Sequence, residues 1–328
     1  MPSRDLTRWE PGRVVAFLHP NLGDAVMLTA FLAALRDRYP RAHLVAVTGK
    51  LGVEILAATG LVNEVWARGS TRDMRRRLRR ERFDLAIMGY PQNKWLLTAA
   101  LAGVKVRIGP DEGKYRWLLH ARIPWQKGDH EVLFPLGKIL TALGGKPLDY
   151  TPHLTLRPED QAAADKVWQS VKAPAVALMT GASHPAKAWP IERFRALAQA
   201  LQAQGHAVIN LGGPTEAGAI PGAIETAGVL SPLATAALLT KCQAVVTNDT
   251  GVAHLAAAVK CPVVALYGPT RELILPLSDP LAVRLCGTCD CPRPLTNEGC
   301  RQTCLPMIET SQVQAELHRL LATRAEPR

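Results

Sequence analysis

Four residues between two apolar runs, Asn248-Asp249-Thr250-Gly251, put a carboxylate, a hydroxyl and a glycine at a strand-to-helix turn. The flanking runs read as short buried strands, Ala244 to Thr247 and Pro262 to Leu266, with a helix over Val252 to Val259 between them. Their Val, Ala and Leu show no polar alternation, the pattern of parallel strands covered on both faces. The first N–H groups of a helix have no intrahelical partner and lie at the positive end of its dipole, so they attract an anion. A phosphate bound there leaves Asp249 beside a sugar hydroxyl. The same residue types also make a plain N-cap, a competing role for Asp249 or Thr250. His254, inside this helix, suits either a phosphate contact or a hydrogen-bonded place in the core.

Three further loops carry chemistry. Asn21-Leu22-Gly23-Asp24 follows the first strand; Asp24 opens a helix and suits a general base that deprotonates a hydroxyl, or a helix cap. TGASHPAKAWP, residues 180–190, holds Lys187 among small residues, where it can meet a diphosphate as a point charge or stand as a solvated surface lysine. Ser183 and nearby backbone N–H groups add donors. LGGPTE, residues 211–216, pairs glycines after a strand with Glu216, an acceptor for ribose hydroxyls or an ordinary first-turn acid. None of these is a G-x-G-x-x-G turn, so dinucleotide binding has no specific support.

Alternating strands and helices position these loops. Strands are expected at Arg13–Leu18, His43–Thr48, Val62–Trp66, Asp84–Met88 and Val106–Ile108, with helices between them and a longer helix over Asp129–Leu143. Lys146–Pro158 has three prolines and no helical period, so it reads as a linker. A second series follows, with strands at Ala175–Thr180 and His206–Leu211 and at the two already named, and helices at about Glu159–Val171, Ile191–Gln204 and Glu216–Thr226. The expectation is α/β: two doubly wound, Rossmann-like parallel-sheet domains, 1–150 and 151–328, facing a central cleft.

The 328 residues suit two such domains. No apolar run approaches the roughly 20 residues that span a bilayer, and MPSRDLTRWEPGR lacks a signal peptide's apolar core, so a cytoplasmic location is expected. The net charge of +11 is uneven: residues 1–150 carry 24 Lys and Arg against 14 Asp and Glu, and residues 151–328 carry 15 against 14. The first domain is thus suited to an acidic partner. No known nucleic-acid module appears, and a nucleic-acid partner is not expected.

GDAVMLTAFLAALRDRYP, GASHPAKAWPIERF and NDTGVAHLAAAVKCPVVALYGPT, taken together, resemble glycosyltransferase family 9, whose members include the ADP-heptose:lipopolysaccharide heptosyltransferases. The three segments span most of the chain in the family's order. The resemblance implies a GT-B fold, with the acceptor held by the first domain and the sugar nucleotide by the second. It implies inverting, metal-independent transfer of heptose from ADP-heptose to the lipid A-linked inner core of lipopolysaccharide. By position it assigns Asp24 as base and Lys187 to the donor phosphates. Glu216 falls to the ribose and Asp249 to the donor sugar, with Ser183, Thr250, Gly251 and His254 around the phosphates. Ala182 stands where some members have a second hydroxyl. Other nucleotide sugars as donor, a GT-B epimerase and a catalytically silent nucleotide- or lipopolysaccharide-binding module are the alternatives.

The basic surplus then has a use. Thr71–Arg82 is expected to be a helix with only Met74 and Leu78 to bury; its Arg72, Arg75 and Arg76, with Lys114 and Arg116, are candidate acceptor contacts or a solvated face. They also suit peripheral association with the anionic inner leaflet. The resemblance implies that no cofactor is required for catalysis. Five of the seven cysteines crowd into residues 286–304, and Cys286, Cys289, Cys300 and Cys304 have the spacing of a structural zinc or iron site. Some family members, the autotransporter heptosyltransferases, carry such an iron site. Cys242 and Cys261 read as core residues, and the final helix, Thr310–Ala322, is expected to pack back on the first domain.

Overall fold

A computed structural model describes residues 5–124, 134–268, 281–287 and 304–325. The chain divides into two compact units, Met1–Thr155 and Leu156–Arg328. The division falls inside the proline-bearing linker, at 155 rather than 150.

Unit 1 alternates β1 (Arg13–Phe17), α1 (Leu22–Arg38), β2 (His43–Thr48), α2 (Lys50–Ala58), β3 (Glu64–Ala67), α3 (Thr71–Glu81), β4 (Leu85–Met88), α4 (Asn93–Leu101), β5 (Val106–Pro110), β6 (Ala121–Ile123) and α5 (Phe134–Ala142). Its sheet runs β3-β2-β1-β4-β5-β6, and every neighbouring pair is parallel. Parallel strands need crossovers, and helices supply them on both faces. Val15, Phe17, Val45, Val47, Ala86 and Met88 share one core with Trp66, Trp95 and Leu96. α1 is buried more widely than one apolar stripe, from Ala25 through Leu32 without a break, because α2 and α5 pack on it as well. The expected helix over Asp129–Leu143 is described from Phe134, and 125–133 lie outside the described residues.

Unit 2 contains α6 (Pro158–Trp168), β7 (Ala175–Met179), α7 (Ile191–Ala203), β8 (Ala207–Leu211), β9 (Ile224–Glu225), α8 (Pro232–Leu239), β10 (Ala244–Asn248), α9 (Gly251–Ala258), β11 (Val263–Tyr267), β12 (Ala282–Cys286) and α10 (Thr310–Ala325). Its sheet, also parallel, runs β12-β11-β10-β7-β8-β9. The helix expected over Glu216–Thr226 does not form. A single 3-10 turn, Pro214–Glu216, is followed by β9. Gly218 and Gly222 stand at φ +74° and +72°, which ends any helix there.

α10 uses its apolar face within unit 2. Val313, Leu317 and Leu320 are buried in one core with Phe194 and Leu197 of α7 and Val246 of β10. These side chains need a dry partner and find it on their own sheet.

In each sheet the winding reverses at one place, between β1 and β4 in unit 1 and between β7 and β10 in unit 2. Loops leaving two such strands flank a crevice at the carboxyl edge of the sheet.

Candidate functional site

In unit 2 the reversal point gathers the second-domain candidates. The loops after β7 and β10 meet there, and Lys187 Nζ donates to Asp249 Oδ2 at 2.7 Å, with side chains only 16% and 15% exposed. Asn248, fully buried at the end of β10, holds the two loops together. Its Oδ1 accepts the Trp189 N–H at 2.9 Å, and its Nδ2 donates to the carbonyls of Thr180 and Gly181 at 2.9 and 3.1 Å. One amide side chain thereby pins both ends of the segment that carries Lys187. Trp189 packs edge-on to Phe194 and donates Nε1–H to the Ile308 carbonyl at 2.9 Å, which anchors the segment to the core.

The capping alternative goes to Thr250. Its Oγ1 accepts the Val252 N–H and bonds Thr247 Oγ1 at 2.9 Å, so it is the N-cap of α9, while Asp249 pairs with the lysine. Gly251 begins the helix, and His254, half-buried, lies one turn in. Glu216 lies across the neighbouring loop. Its carboxylate accepts the Gly213 N–H at 2.7 Å and the Thr215 hydroxyl at 2.7 Å. A Cβ on Gly181 or Gly212 would fall 2.7 Å from the Glu216 side chain, so both positions need glycine for this approach. Ser183 is exposed on the same loop as Lys187.

Sequence reasoning missed Asn248 as a brace and Tyr267 altogether. Tyr267 ends β11 fully buried, and its hydroxyl has no hydrogen-bond partner among the described residues. Burial pushes its hydroxyl well above the usual phenol range, and the charge of Asp249 pushes it further. The available signal was a lone Tyr closing an apolar strand run, which reads equally as core.

In unit 1 the loops after β1 and β4 meet at the other reversal point. Asp24 is in the first turn of α1, 14% exposed, and accepts Asn21 Nδ2 at 2.8 Å. Asn21 is the N-cap by position, with no side-chain cap bond. His19 stands beside Asp24 and packs on Tyr90, Arg68 lies over that ring, and Gln92 braces Arg68; no sequence motif marked these residues. Arg68 donates to the carbonyl of Leu18 and to Gln92 Oε1, and Gln92 Nε2 donates to the Phe17 carbonyl at 3.0 Å.

α3 buries Met74 and Leu78 and exposes Arg72, Arg75 and Arg76. Ser70 caps it by accepting the Asp73 N–H. Arg77 is used structurally, 2.9 Å from Glu64 and stacked 3.6 Å from the Trp66 centroid. Lys114 and Arg116 follow β5, with Arg116 Nε 3.9 Å from Asp111 Oδ1. Trp125 and Lys127 lie outside the described residues.

Cys242 and Cys261 are buried core thiols. Of the expected metal set, Cys286 is exposed at the end of β12 and Cys304 is buried, while Cys289 and Cys300 lie outside the described residues. Among the described residues no group of three or more His, Cys, Asp or Glu side chains is placed to hold a metal, and they lend a metal centre there no support. Likewise, no described helix is long and apolar enough to cross a membrane.

Two parallel-sheet, Rossmann-like units with polar loops at their reversal points are the architecture of GT-B glycosyltransferases. The family model for glycosyltransferase family 9 (heptosyltransferase) matches residues 71–304, and the chain belongs to that family. It is 28% identical to lipopolysaccharide heptosyltransferase 2 of Escherichia coli over 286 residues, 78% of this chain and 82% of the relative. It is 37% identical to lipooligosaccharide heptosyltransferase 2 of Haemophilus influenzae over 147 residues, 39% of this chain and 42% of that relative. The solved structure of E. coli ADP-heptose lps heptosyltransferase II has a TM-score of 0.77 at 26% identity, covering 96% of this chain and all of that one.

Proposed function

We propose that this chain is an inverting heptosyltransferase that moves heptose from ADP-heptose to the lipid A-linked inner core of lipopolysaccharide. The observation that carries the reading is the Lys187–Asp249 pair at the mouth of α9, braced by Asn248, in a member of glycosyltransferase family 9. The names of the relatives above support the choice of sugar and acceptor.

The chemistry follows from the charges. Breaking the bond between the anomeric carbon and the diphosphate leaves positive charge on the sugar and negative charge on departing ADP. Lys187 and the Gly251 N–H, at the positive end of α9, offset the charge on ADP without a divalent ion. Asp249 holds Lys187 in place before the donor arrives and turns to a donor-sugar hydroxyl once the phosphates take the lysine. Ser183 and His254 add phosphate contacts, and Glu216 accepts from the ribose. Asp24 removes the proton of the attacking acceptor hydroxyl.

Arg72, Arg75 and Arg76, with Lys114 and Arg116, serve the anionic acceptor and hold the protein peripherally on the cytoplasmic face of the inner membrane. The test is incubation with ADP-heptose and heptose-deficient lipopolysaccharide, reading ADP release and acceptor mass. ADP release that depends on the acceptor, with a mass gain of one heptose, is expected. ADP-heptose binding with no turnover on any truncated core would reject the reading.

A further inference from the structure

Asp24 is not alone at the head of α1. His19 Nδ1 lies 3.6 Å from Asp24 Oδ2, and the two side chains are 12% and 14% exposed. The same carboxylate oxygen accepts Asn21 Nδ2. The imidazole packs on Tyr90 with ring centroids 3.8 Å apart, and the Arg68 guanidinium lies 5.3 Å from that Tyr90 centroid.

The backbone beneath is held as firmly. The His19 carbonyl accepts Thr48 Oγ1 at 2.7 Å, and a Cβ on Gly49 would fall 2.1 Å from the Pro20 carbonyl oxygen. The backbone that carries the imidazole is therefore tied to the loop after β2.

Among the described residues, Asp24, Tyr90 and Arg68 are titratable or charged groups beside His19 or its ring partner. Burial pushes the Tyr90 hydroxyl above its usual value, Arg68 opposes this, and Asp24 adds to it. Tyr90 thus stays protonated at neutral pH and supplies no second base. A carboxylic acid is a stronger acid than an imidazolium, so a proton placed on Asp24 can pass on to a neutral imidazole.

We propose that His19 is the positioning partner of Asp24 and takes over the proton that Asp24 removes from the acceptor hydroxyl. The proposal rests on Asp24 as the base. As the acceptor oxygen bonds to the anomeric carbon, the bond from that carbon to the diphosphate oxygen breaks and its electron pair leaves with ADP. The hydroxyl proton passes to Asp24, then to Nδ1 of His19 in its Nε2–H tautomer. This restores the carboxylate and leaves an imidazolium, which releases its proton to solvent.

The test compares wild type, His19→Gln and Asp24→Ala in kcat–pH profiles at saturating ADP-heptose and acceptor. Wild-type kcat should rise with pH through an inflection that belongs to His19. In His19→Gln that inflection should vanish and kcat should fall at least ~10-fold, with both KM values within about twofold of wild type. An inactive Asp24→Ala beside a His19→Gln with the wild-type rate and pH profile would overturn the relay and leave the base intact. A fully active Asp24→Ala would remove the base, and the relay with it. Should His19→Gln not fold, the imidazole NMR titration of His19 decides: its pKa should fall in Asp24→Asn, and an unmoved titration would overturn the pairing.

Discussion

Lys187 Nζ and Asp249 Oδ2 meet at 2.7 Å across 62 residues of chain. The contact joins the loops after β7 and β10, and these strands are neighbours only because the sheet order reverses between them. On the proposed reading, a half-buried lysine with a built-in counter-ion stands in place before the donor phosphates arrive, which limits the reorganisation that binding requires.

Lys187→Ala should lower kcat by about 10²–10³-fold, the usual effect of losing one preorganised donor at a leaving anion. Lys187→Arg should recover only part of this, because a planar fork does not replace a compact ammonium. Steady-state ADP release measures both. In the same assay, excess EDTA should leave wild-type turnover within about twofold, since the lysine and the head of α9 carry the charge that a divalent ion would otherwise offset.

Asp24→Ala should reduce turnover by about 10²–10⁴-fold while the fold and the affinity for ADP stay unchanged. Calorimetric titration with ADP separates the two. Weakened ADP binding of the same size as the rate loss would argue for a donor-binding rather than a proton-transfer role.

Asn248→Ala leaves the Trp189 N–H and the carbonyls of Thr180 and Gly181 without their side-chain partner in a buried place. At about 1–3 kcal/mol per unsatisfied group, a loss of at least ~2 kcal/mol of stability is expected by denaturant titration. Donor KM should rise as well, because the Lys187 segment loses its brace. Stability within a few tenths of wild type would show that Asn248 holds nothing.

Arg72, Arg75 and Arg76 are exposed, Arg72 and Arg76 on the face of α3 opposite Met74 and Leu78 and Arg75 on its flank. Replacing all three by Ala should weaken binding to anionic lipid vesicles and raise acceptor KM by roughly 10- to 100-fold, with donor KM unmoved. The effect should shrink as salt rises. Co-sedimentation at two ionic strengths checks it.

Glu225 sets a pH dependence for unit 2. Burial disfavours its charge, but hydrogen bonds from the Gly218 N–H, Asn210 Nδ2 and the Ala227 N–H outweigh burial and hold its pKa below 4.5. Because folding lowers this pKa, protonation favours the unfolded chain. The stabilisation is whole above about pH 4.5 and is lost as pH falls through the lower folded value. Glu225→Gln should flatten the acid limb of thermal stability, measured between pH 3 and 5.

Much was legible from local pattern alone. Apolar runs without alternation mark buried parallel strands, so β1, β2, β4, β7, β8, β10 and β11 could be placed within a residue or two, and with them the loops that hold Asp24, Lys187 and Asp249. β6, β9 and β12 were missed: two are only two or three residues long, too short for a period, and the third is half-covered at a sheet edge. Glu216 was read into a helix because an acid after Pro214 looks like a first turn. Gly218 and Gly222 stop the helix after one 3-10 turn, and the carboxylate caps Gly213 instead.

Periodicity thus determined the two-unit parallel α/β plan and the identity of the loops at its carboxyl edges, because burial on both strand faces imprints itself residue by residue. It did not determine which loops touch. Strand order decided that Asp249 meets Lys187 while Thr250 caps the helix, that Asn248 braces a segment beginning 68 residues earlier, and that His19 packs on Tyr90 beside Asp24. A hydrogen bond or ring contact between distant residues leaves no period in either segment, and Val- and Ala-rich strands look alike wherever they sit in a sheet, so only the folded chain selects the pairs.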